Sequence, residues 1–170
     1  LAVINNLSAT DGDVVVKISI KAPKVAKQSL EVSDISGGTS VGRQADADGD
    51  FNLDIDDEDS DLDGTSFGID SGGLSGDVII TISSADPVEP PDPANQQAAG
   101  PAVEFRPDGL EFSQSASFTI PYDPDMLPLF SDPANISVVQ VKADGSKTTI
   151  TPDSVDTDAE LVRFSASGFS

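Results

Sequence analysis

Apolar and polar residues alternate along much of this chain, which is the pattern of half-buried β-strands. In residues 13–21, for example, one face carries Val14, Val16, Ile18 and Ile20, and the opposite face carries Val15, Lys17, Ser19 and Lys21. Such alternation is typical of an antiparallel strand with one face on a core and the other in water. Strands are predicted on this basis at 13–21, 77–83, 103–105, 110–112, 116–120, 136–142, 147–151 and 160–166.

Turn-forming residues separate these segments. Pro107-Asp108-Gly109 and Ala143-Asp144-Gly145-Ser146 both have the composition of hairpin connections. A single short helix is predicted, with Asp123 as its N-cap, Pro124 at its first position and Pro128 near its end. Many short strands at this spacing predict an all-β protein built as an antiparallel β-sandwich.

Two segments interrupt the strand pattern. Residues 84–101 contain five of the twelve prolines, so we expect a long surface loop that joins strands of one domain. The acidic segment 46–63 follows the first strands and carries ten acidic residues and no basic residue. We therefore predict two small β units in tandem: an immunoglobulin-like or transthyretin-like unit at 1–57, an acidic junction at 58–64, and a larger β-sandwich at 65–170.

The composition excludes several classes of function. The chain has no cysteine and no histidine, so it cannot build a disulfide, a thiolate nucleophile, a Ser-His-Asp triad or a zinc site with the usual ligands. Thirty acidic residues against nine basic ones give a net charge of -21, which disfavours binding to nucleic acid or to an anionic membrane surface. No apolar run reaches the roughly 18 residues of a membrane helix, so no membrane insertion is expected.

Catalysis by a pair of carboxylates is the remaining enzymatic route. The acidic residues, however, cluster in turns and at outward strand positions, and nothing in their spacing singles out a facing pair. The sequence therefore predicts a protein that is not an enzyme.

The acidic segment contains two calcium-type patterns. The first consists of Asp46, Asp48, Asp50 and Asp54, and the second of Asp59, Asp61, Asp63 and Asp70. The second fits better, because its acids occupy positions 1, 3, 5 and 12 of a calcium loop and Gly64 occupies position 6, although Asp70 replaces the usual bidentate Glu. No amphipathic helices flank either pattern, which excludes an EF-hand. Ca²⁺ is thus the candidate cofactor.

The first pattern also has a simpler interpretation. Phe51, Leu53 and Ile55 alternate with polar residues after Asp48-Gly49, which predicts a hairpin turn followed by a strand. The segment resembles a stretch of bacterial immunoglobulin-like and carboxypeptidase-regulatory-like modules, in which an Asp-x-Asp-Gly turn precedes a Phe-x-Leu-x-Ile strand. That resemblance implies a turn and not a metal site.

From Asp63 onward the chain resembles a ZU-five domain, the β-sandwich module of netrin receptors, ankyrins, zonula occludens proteins and many bacterial surface proteins. The resemblance rests on GTSFGIDSGGLSGDVIITI and GPAVEFRPDGLEFSQSASFTIPYDPDMLP. In the first motif Ser71-Gly72-Gly73-Leu74 keeps the small size of the family's crossing loop but lacks its proline. In the second motif Arg106-Pro107-Asp108-Gly109 is the tight connection. Its expected core residues are Phe105, Leu110, Phe112, Phe118 and Ile120.

Some members of that family cleave their own backbone within a His-Phe-Ser tripeptide. The corresponding residues here are Gly168-Phe169-Ser170. Gly168 replaces the histidine that would assist proton transfer, so the resemblance implies at most a degenerate autoproteolytic domain.

Charge is distributed unevenly along the chain. Residues 14–30 contain four lysines and no acid, whereas residues 46–63 carry a charge of -10. The lysines, Lys17, Lys21, Lys24 and Lys27, are the candidate interaction residues. Lysines on an edge strand often serve only to block unwanted strand pairing. Alternatively, this basic face meets the acidic segment of a neighbouring copy or an adjacent domain.

The sequence thus predicts a non-catalytic structural or interaction module of a bacterial surface or secreted protein, assembling head to tail through its basic and acidic faces. Its expected partners are neighbouring domains or copies of itself. A first alternative is a calcium-stiffened adhesion module whose loops bind a carbohydrate or a protein. The second alternative is the degenerate autoproteolytic domain.

Overall fold

The computed structural model of the chain describes residues 40–142 and 144–169. This part forms β-strands and two short 3-10 helices, at Pro124–Met126 and Pro133–Asn135. The strands are β1 (Ser40–Ala45), β2 (Phe51–Asp54), β3 (Ser66–Ile69), β4 (Val78–Ala85), β5 (Ala102–Arg106), β6 (Glu111–Pro121), β7 (Val138–Val141), β8 (Lys147–Ile150), β9 (Ser154–Asp156) and β10 (Leu161–Gly168). The prediction of an all-β fold is confirmed.

The strands form three antiparallel sheets. One sheet has three strands in the order β1-β4-β5, a second has five in the order β2-β3-β6-β10-β9, and β7 and β8 form a hairpin. Side chains of the two larger sheets meet in one core, where the ring of Phe105 on β5 lies 5.1 Å from that of Phe118 on β6. The two sheets therefore pack face to face, as in a β-sandwich.

At two of the predicted hairpins, the chain passes from the three-stranded to the five-stranded sheet. The turn at Asp48-Gly49 forms, with Gly49 N donating to Asp46 O at 3.2 Å, but β1 pairs with β4 and β2 with β3. Residues 107–109 likewise connect β5 of the three-stranded sheet to β6 of the five-stranded sheet. At both turns the chain therefore passes from one sheet to the other. The turn at Asp144-Gly145 does close a hairpin, between β7 and β8.

The structure differs from the predicted division of the chain at 58–64. Strands β2 and β3 flank this segment and pair with each other, with Phe51 opposite Ile69 and Leu53 opposite Phe67. Residues 40–57 therefore belong to the same sandwich as the later strands, and the acidic segment is a hairpin loop within one sheet. The remainder of the predicted first unit, residues 1–39, lies outside the described residues.

The other predicted elements are largely present, with shifted bounds. The segments 110–112 and 116–120 are one long strand, β6, and the short strands β1 and β9 were not predicted. The Pro-rich segment is an exposed loop between neighbouring strands β4 and β5, as expected, and begins after Ala85. The predicted helix is a single 3-10 turn in which the Asp123 side chain accepts a hydrogen bond from Asp125 N at 2.8 Å.

Phe67 on β3 lies at the centre of the core. Its ring centroid is within 6.1 Å of four other phenylalanine rings, and the side chain is fully buried. The four are Phe51, Phe112, Phe118 and Phe169. Aromatic pairs at such distances contribute beyond their buried area. The cluster links β2, β3 and β6 to the residue that follows β10.

Replacing Phe67 by alanine should lower the free energy of unfolding by about 3 to 5 kcal/mol, because a cavity opens where four rings meet. Phe130 is a matched control: it is 103% exposed, so Phe130→Ala should change stability by less than about 0.5 kcal/mol. Urea unfolding followed by far-ultraviolet circular dichroism measures both. Equal losses from the two variants would contradict the assignment of Phe67 as the centre of the core.

Candidate functional site

The acidic loop, residues 55–65, joins β2 to β3 and is held closed by its own backbone. Ile55 N donates to Thr65 O at 2.8 Å, and Gly64 N donates to Ile55 O at 2.9 Å. Leu62 is 1% exposed and anchors the loop in the core. The Asp63 carboxylate accepts a hydrogen bond from Asp57 N at 2.9 Å. The loop is therefore an ordered extension of the hairpin.

The acids of the second calcium pattern are placed at two ends of one strand. Asp59, Asp61 and Asp63 lie in the acidic loop before β3, whereas Asp70 follows β3. A strand of that length separates its ends by about 13 Å, which is far more than the 2.3 to 2.6 Å of a calcium–oxygen bond. Asp59, Asp61 and Asp70 are exposed, and Asp63 is half-buried.

The first calcium pattern is divided in the same way. Asp46, Asp48 and Asp50 lie in the turn before β2, and Asp54 is the last residue of β2. The Asp50 carboxylate accepts a hydrogen bond from Ser71 N at 2.9 Å, and that of Asp54 accepts one from the Asn52 side chain at 3.2 Å. Within residues 40–142 and 144–169, no three acidic side chains come together in a group that could hold a metal ion. Calcium binding stays a prediction without an assembled ligand set.

Replacing Asp63 by alanine should lower the free energy of unfolding by about 1 kcal/mol, because Asp57 N loses its acceptor. Asp61→Ala removes a neighbouring exposed carboxylate with no such bond and should change it by less than about 0.5 kcal/mol. Both effects should be the same in excess calcium and in a chelator, as measured by thermal melting. A stabilisation by calcium that both variants abolish would restore the ion to this loop.

Thr65 closes the acidic loop at its β3 end and is fully buried. Its hydroxyl oxygen has no hydrogen-bond partner among the groups that the structure describes. Thr65→Val keeps the shape and removes the unpaired hydroxyl, so we expect it to raise the free energy of unfolding by about 1 kcal/mol. Chemical denaturation of the two proteins measures the difference, and a loss of stability would show that the hydroxyl has a partner.

A groove of ≈ 1010 Å³ lies along strands β5 and β7. Residues 102–105 of β5 and 138–141 of β7 all line it. Residues of β6 and β10 also line it, including the half-buried Ile120 and the buried Phe118 and Phe164. Residues 93–101 of the Pro-rich loop complete its lining.

Burial decreases across the three-stranded sheet towards the groove. Ile80 and Ile82 on the central strand β4 are fully buried, whereas Val103 and Phe105 on the edge strand β5 pack on the core but remain half-exposed. The sandwich is therefore closed over β4 and open beside β5.

The Pro-rich loop is fixed in place by contacts with two other segments. The Gln97 side chain donates to Met126 O in the first 3-10 helix, and Asp123 N donates to Ala99 O at 2.8 Å. The Lys147 ammonium group on β8 donates to Glu89 O at 2.6 Å. These bonds make the loop a defined wall of the groove.

The ionisable groups of the groove are mostly acidic. Glu104, Asp108 and Asp132 line it together with one base, Lys142. Glu104 forms a bidentate pair with Arg106 at 2.8 and 2.9 Å. Burial raises the pKa of Tyr122, and the nearby charges of Glu160 and Asp156 raise it further, so its hydroxyl stays protonated at neutral pH.

The sequence indicated parts of this groove but not the groove itself. Phe105 and Ile120 were predicted as core residues, and both pack on the core while lining the groove. Alternation along a strand tells which side chains face inward, but not whether a neighbouring strand covers them. The four candidate interaction residues, Lys17, Lys21, Lys24 and Lys27, lie outside the described residues.

Comparison of the chain with protein-family models and with curated proteins finds no match. Among the described residues, no helix has the length and apolar character needed to cross a membrane.

Proposed function

We propose that this protein is a non-catalytic structural and interaction module of a bacterial surface or secreted protein, and that its copies or neighbouring domains assemble head to tail through a basic and an acidic face. The basic face is the lysine-rich segment 17–27, and the acidic face is the acidic loop with the preceding turn at 46–50. A resemblance to ZU-five and immunoglobulin-like surface modules supports the extracellular location.

The observation that carries the proposal is the separation of charge. Residues 40–170 contain twenty-six acidic and only five basic residues, whereas four lysines lie within residues 17–27 with no acid among them. The acids at the tip of the acidic loop, Asp59 and Asp61, are exposed. Within the described part of the chain neither carboxylate accepts a hydrogen bond, so an approaching cation meets them without displacing the loop's internal contacts.

The position of the acidic loop favours a contact surface over a flexible tether. The loop is closed by backbone hydrogen bonds and anchored by buried Leu62, so the backbone that carries its carboxylates is fixed before any partner arrives. Preorganised charge of this kind increases the rate and specificity of association.

Association of the full chain should weaken steeply as salt is raised from low to physiological concentration, because the Debye length falls towards 8 Å at physiological ionic strength. Sedimentation velocity at several salt concentrations measures this. Reversing charge with Asp59→Lys and Asp61→Lys together should abolish association at low salt.

A control with the same change in net charge is Asp86→Lys with Glu89→Lys, at exposed positions of the Pro-rich loop. This control should associate nearly as the unchanged protein does. If both double variants lose association equally, net charge alone governs it, and the acidic loop is not the contact face. Association that is indifferent to salt would also contradict the proposal.

A further inference from the structure

The turn between the two 3-10 helices exposes two large apolar side chains at its tip. Phe130 is 103% exposed and Leu129 is 89% exposed, the highest values among the large apolar residues that the structure describes. Single exposed apolar residues are common on protein surfaces, but two at the tip of one turn leave about 350 Å² of apolar surface in water. We call this pair, Leu129 and Phe130, the apolar tip.

The backbone conformation of Phe130 is a second unfavourable feature of the same turn. Ser131 N donates to Pro128 O at 2.9 Å, which closes a four-residue turn with Phe130 in its third position, and the φ angle of Phe130 is 68°. Gly or Asn normally occupies a turn position with positive φ, because a Cβ atom strains a left-handed backbone. The exposed side chain of Phe130 gains no burial in return, and strain of this kind is typical of functional positions.

Both ends of the turn are attached to the fold. In the 3-10 helix before the turn, Met126 O accepts a hydrogen bond from the Gln97 side chain. The 3-10 helix after it contacts β9, and its N-cap Asp132 accepts a hydrogen bond from Ala134 N at 2.9 Å. The backbone that carries the apolar tip is therefore held in place before any partner binds, which reduces the entropy lost on association.

Uncompensated negative charge flanks the apolar tip. Residues 107–141 contain five acids and no basic residue. Three of these acids, Asp123, Asp125 and Asp132, lie on the two sides of the tip in the sequence and are exposed. None of the three forms an ion pair with a residue in 40–142 or 144–169. A partner that covers the tip must therefore bring cationic groups to its border, because further carboxylates there would be repelled.

Two other occupants of the tip fit these observations less well. An anionic membrane surface would be repelled by the flanking acids. A symmetric contact between the tips of two copies would bury about 700 Å² in total, below the roughly 1,200 Å² of a specific interface, and it would bring the acids of both copies together. A pocket in a partner protein encloses both side chains on all sides, and aromatic residues are enriched in the centre of such interfaces.

We propose that the apolar tip is the anchor of a further protein–protein contact. Leu129 and Phe130 insert into an apolar pocket of a partner protein, and Lys or Arg side chains on the rim of that pocket pair with Asp123, Asp125 and Asp132. This contact goes beyond head-to-tail assembly and does not depend on it, since it involves neither the acidic loop nor the lysine-rich segment.

Tryptophan fluorescence tests the contact, because the unchanged chain has no tryptophan. In the full chain with Phe130→Trp, emission in buffer should be that of indole in water. The probe is a helical peptide of leucine and lysine whose leucines form one stripe bordered by lysines. It should shift the emission to shorter wavelength, whereas a peptide of the same composition with its leucines spread around the helix should not.

Ile79→Trp is a matched control at an apolar residue of β4 that is 64% exposed, and its emission should stay unchanged with either peptide. Three results would overturn the proposal. Emission of the Phe130→Trp protein that is already blue-shifted without peptide would show that another part of the chain covers the tip. Equal shifts with the two peptides would show that charge alone attracts them. A larger shift with phosphatidylcholine vesicles than with the striped peptide would assign the tip to a membrane surface.

The affinity of the striped peptide gives a second measurement. Leu129→Ser combined with Phe130→Ser should weaken binding by about tenfold or more, because the anchor is lost. The control combines Ile79→Ser with Val88→Ser, which removes two other exposed apolar side chains, and should leave the affinity within about twofold of that of the unchanged protein. Fluorescence anisotropy of a labelled peptide measures both. Equal losses in the two double variants would contradict the assignment of the tip as the anchor.

Thermal unfolding tests whether the apolar tip serves the fold instead. Asn tolerates a left-handed backbone, so Phe130→Asn should raise the midpoint of unfolding by about 2 °C or more, whereas Leu129→Asn should leave it within about 1 °C. A lower midpoint for Phe130→Asn would show that the phenylalanine stabilises the fold, and the proposal would then be wrong.

Discussion

Two sheets of unequal width share one aromatic core, and the rest of the structure follows from that mismatch. The five-stranded sheet supplies most of the phenylalanine cluster, with Phe67 in its middle, and the three-stranded sheet covers only part of it. Ile80 and Ile82 on β4 are fully buried, whereas Val103 and Phe105 on β5 are half-exposed. Apolar surface left at the narrow sheet's edge must be covered by loops, by the β7-β8 hairpin or by another segment of chain.

The acidic loop shows that acids in a calcium-like pattern can serve as hydrogen-bond acceptors in turns. Short carboxylates accept hydrogen bonds from nearby backbone N–H groups and so stabilise tight turns. Asp57, Asp63 and Asp50 act in this way in and around the hairpin. Of the acids in the two calcium patterns, only Asp54 lies on a strand; the others lie in the turn before β2, in the acidic loop or directly after β3. A spacing of one acid in every two residues is therefore shared by hydrogen-bonded turns and ion-binding loops.

Local patterns in the sequence predicted the strands well and their partners poorly. Alternation identified β4, β7, β8 and β10, and the Asp123-Pro124 pair correctly marked the 3-10 turn. The turns at 48–49 and 107–109 have hairpin composition, yet both change sheet. Turn chemistry reports how sharply the backbone reverses but not which sheet the next strand joins. The domain boundary predicted near 58–64 was based on acidic composition. Such composition indicates exposure to solvent, which is equally expected of a junction between domains and of a hairpin loop.

The Pro-rich loop also affects how readily the molecule can pair strands with another molecule. Pro87, Pro90, Pro91 and Pro93 carry no N–H group, and the loop is fastened to β8 and to the first 3-10 helix. These four positions therefore offer no N–H group to the backbone of a strand from another molecule. The loop is thus a poor template for strand pairing, although it is long and exposed.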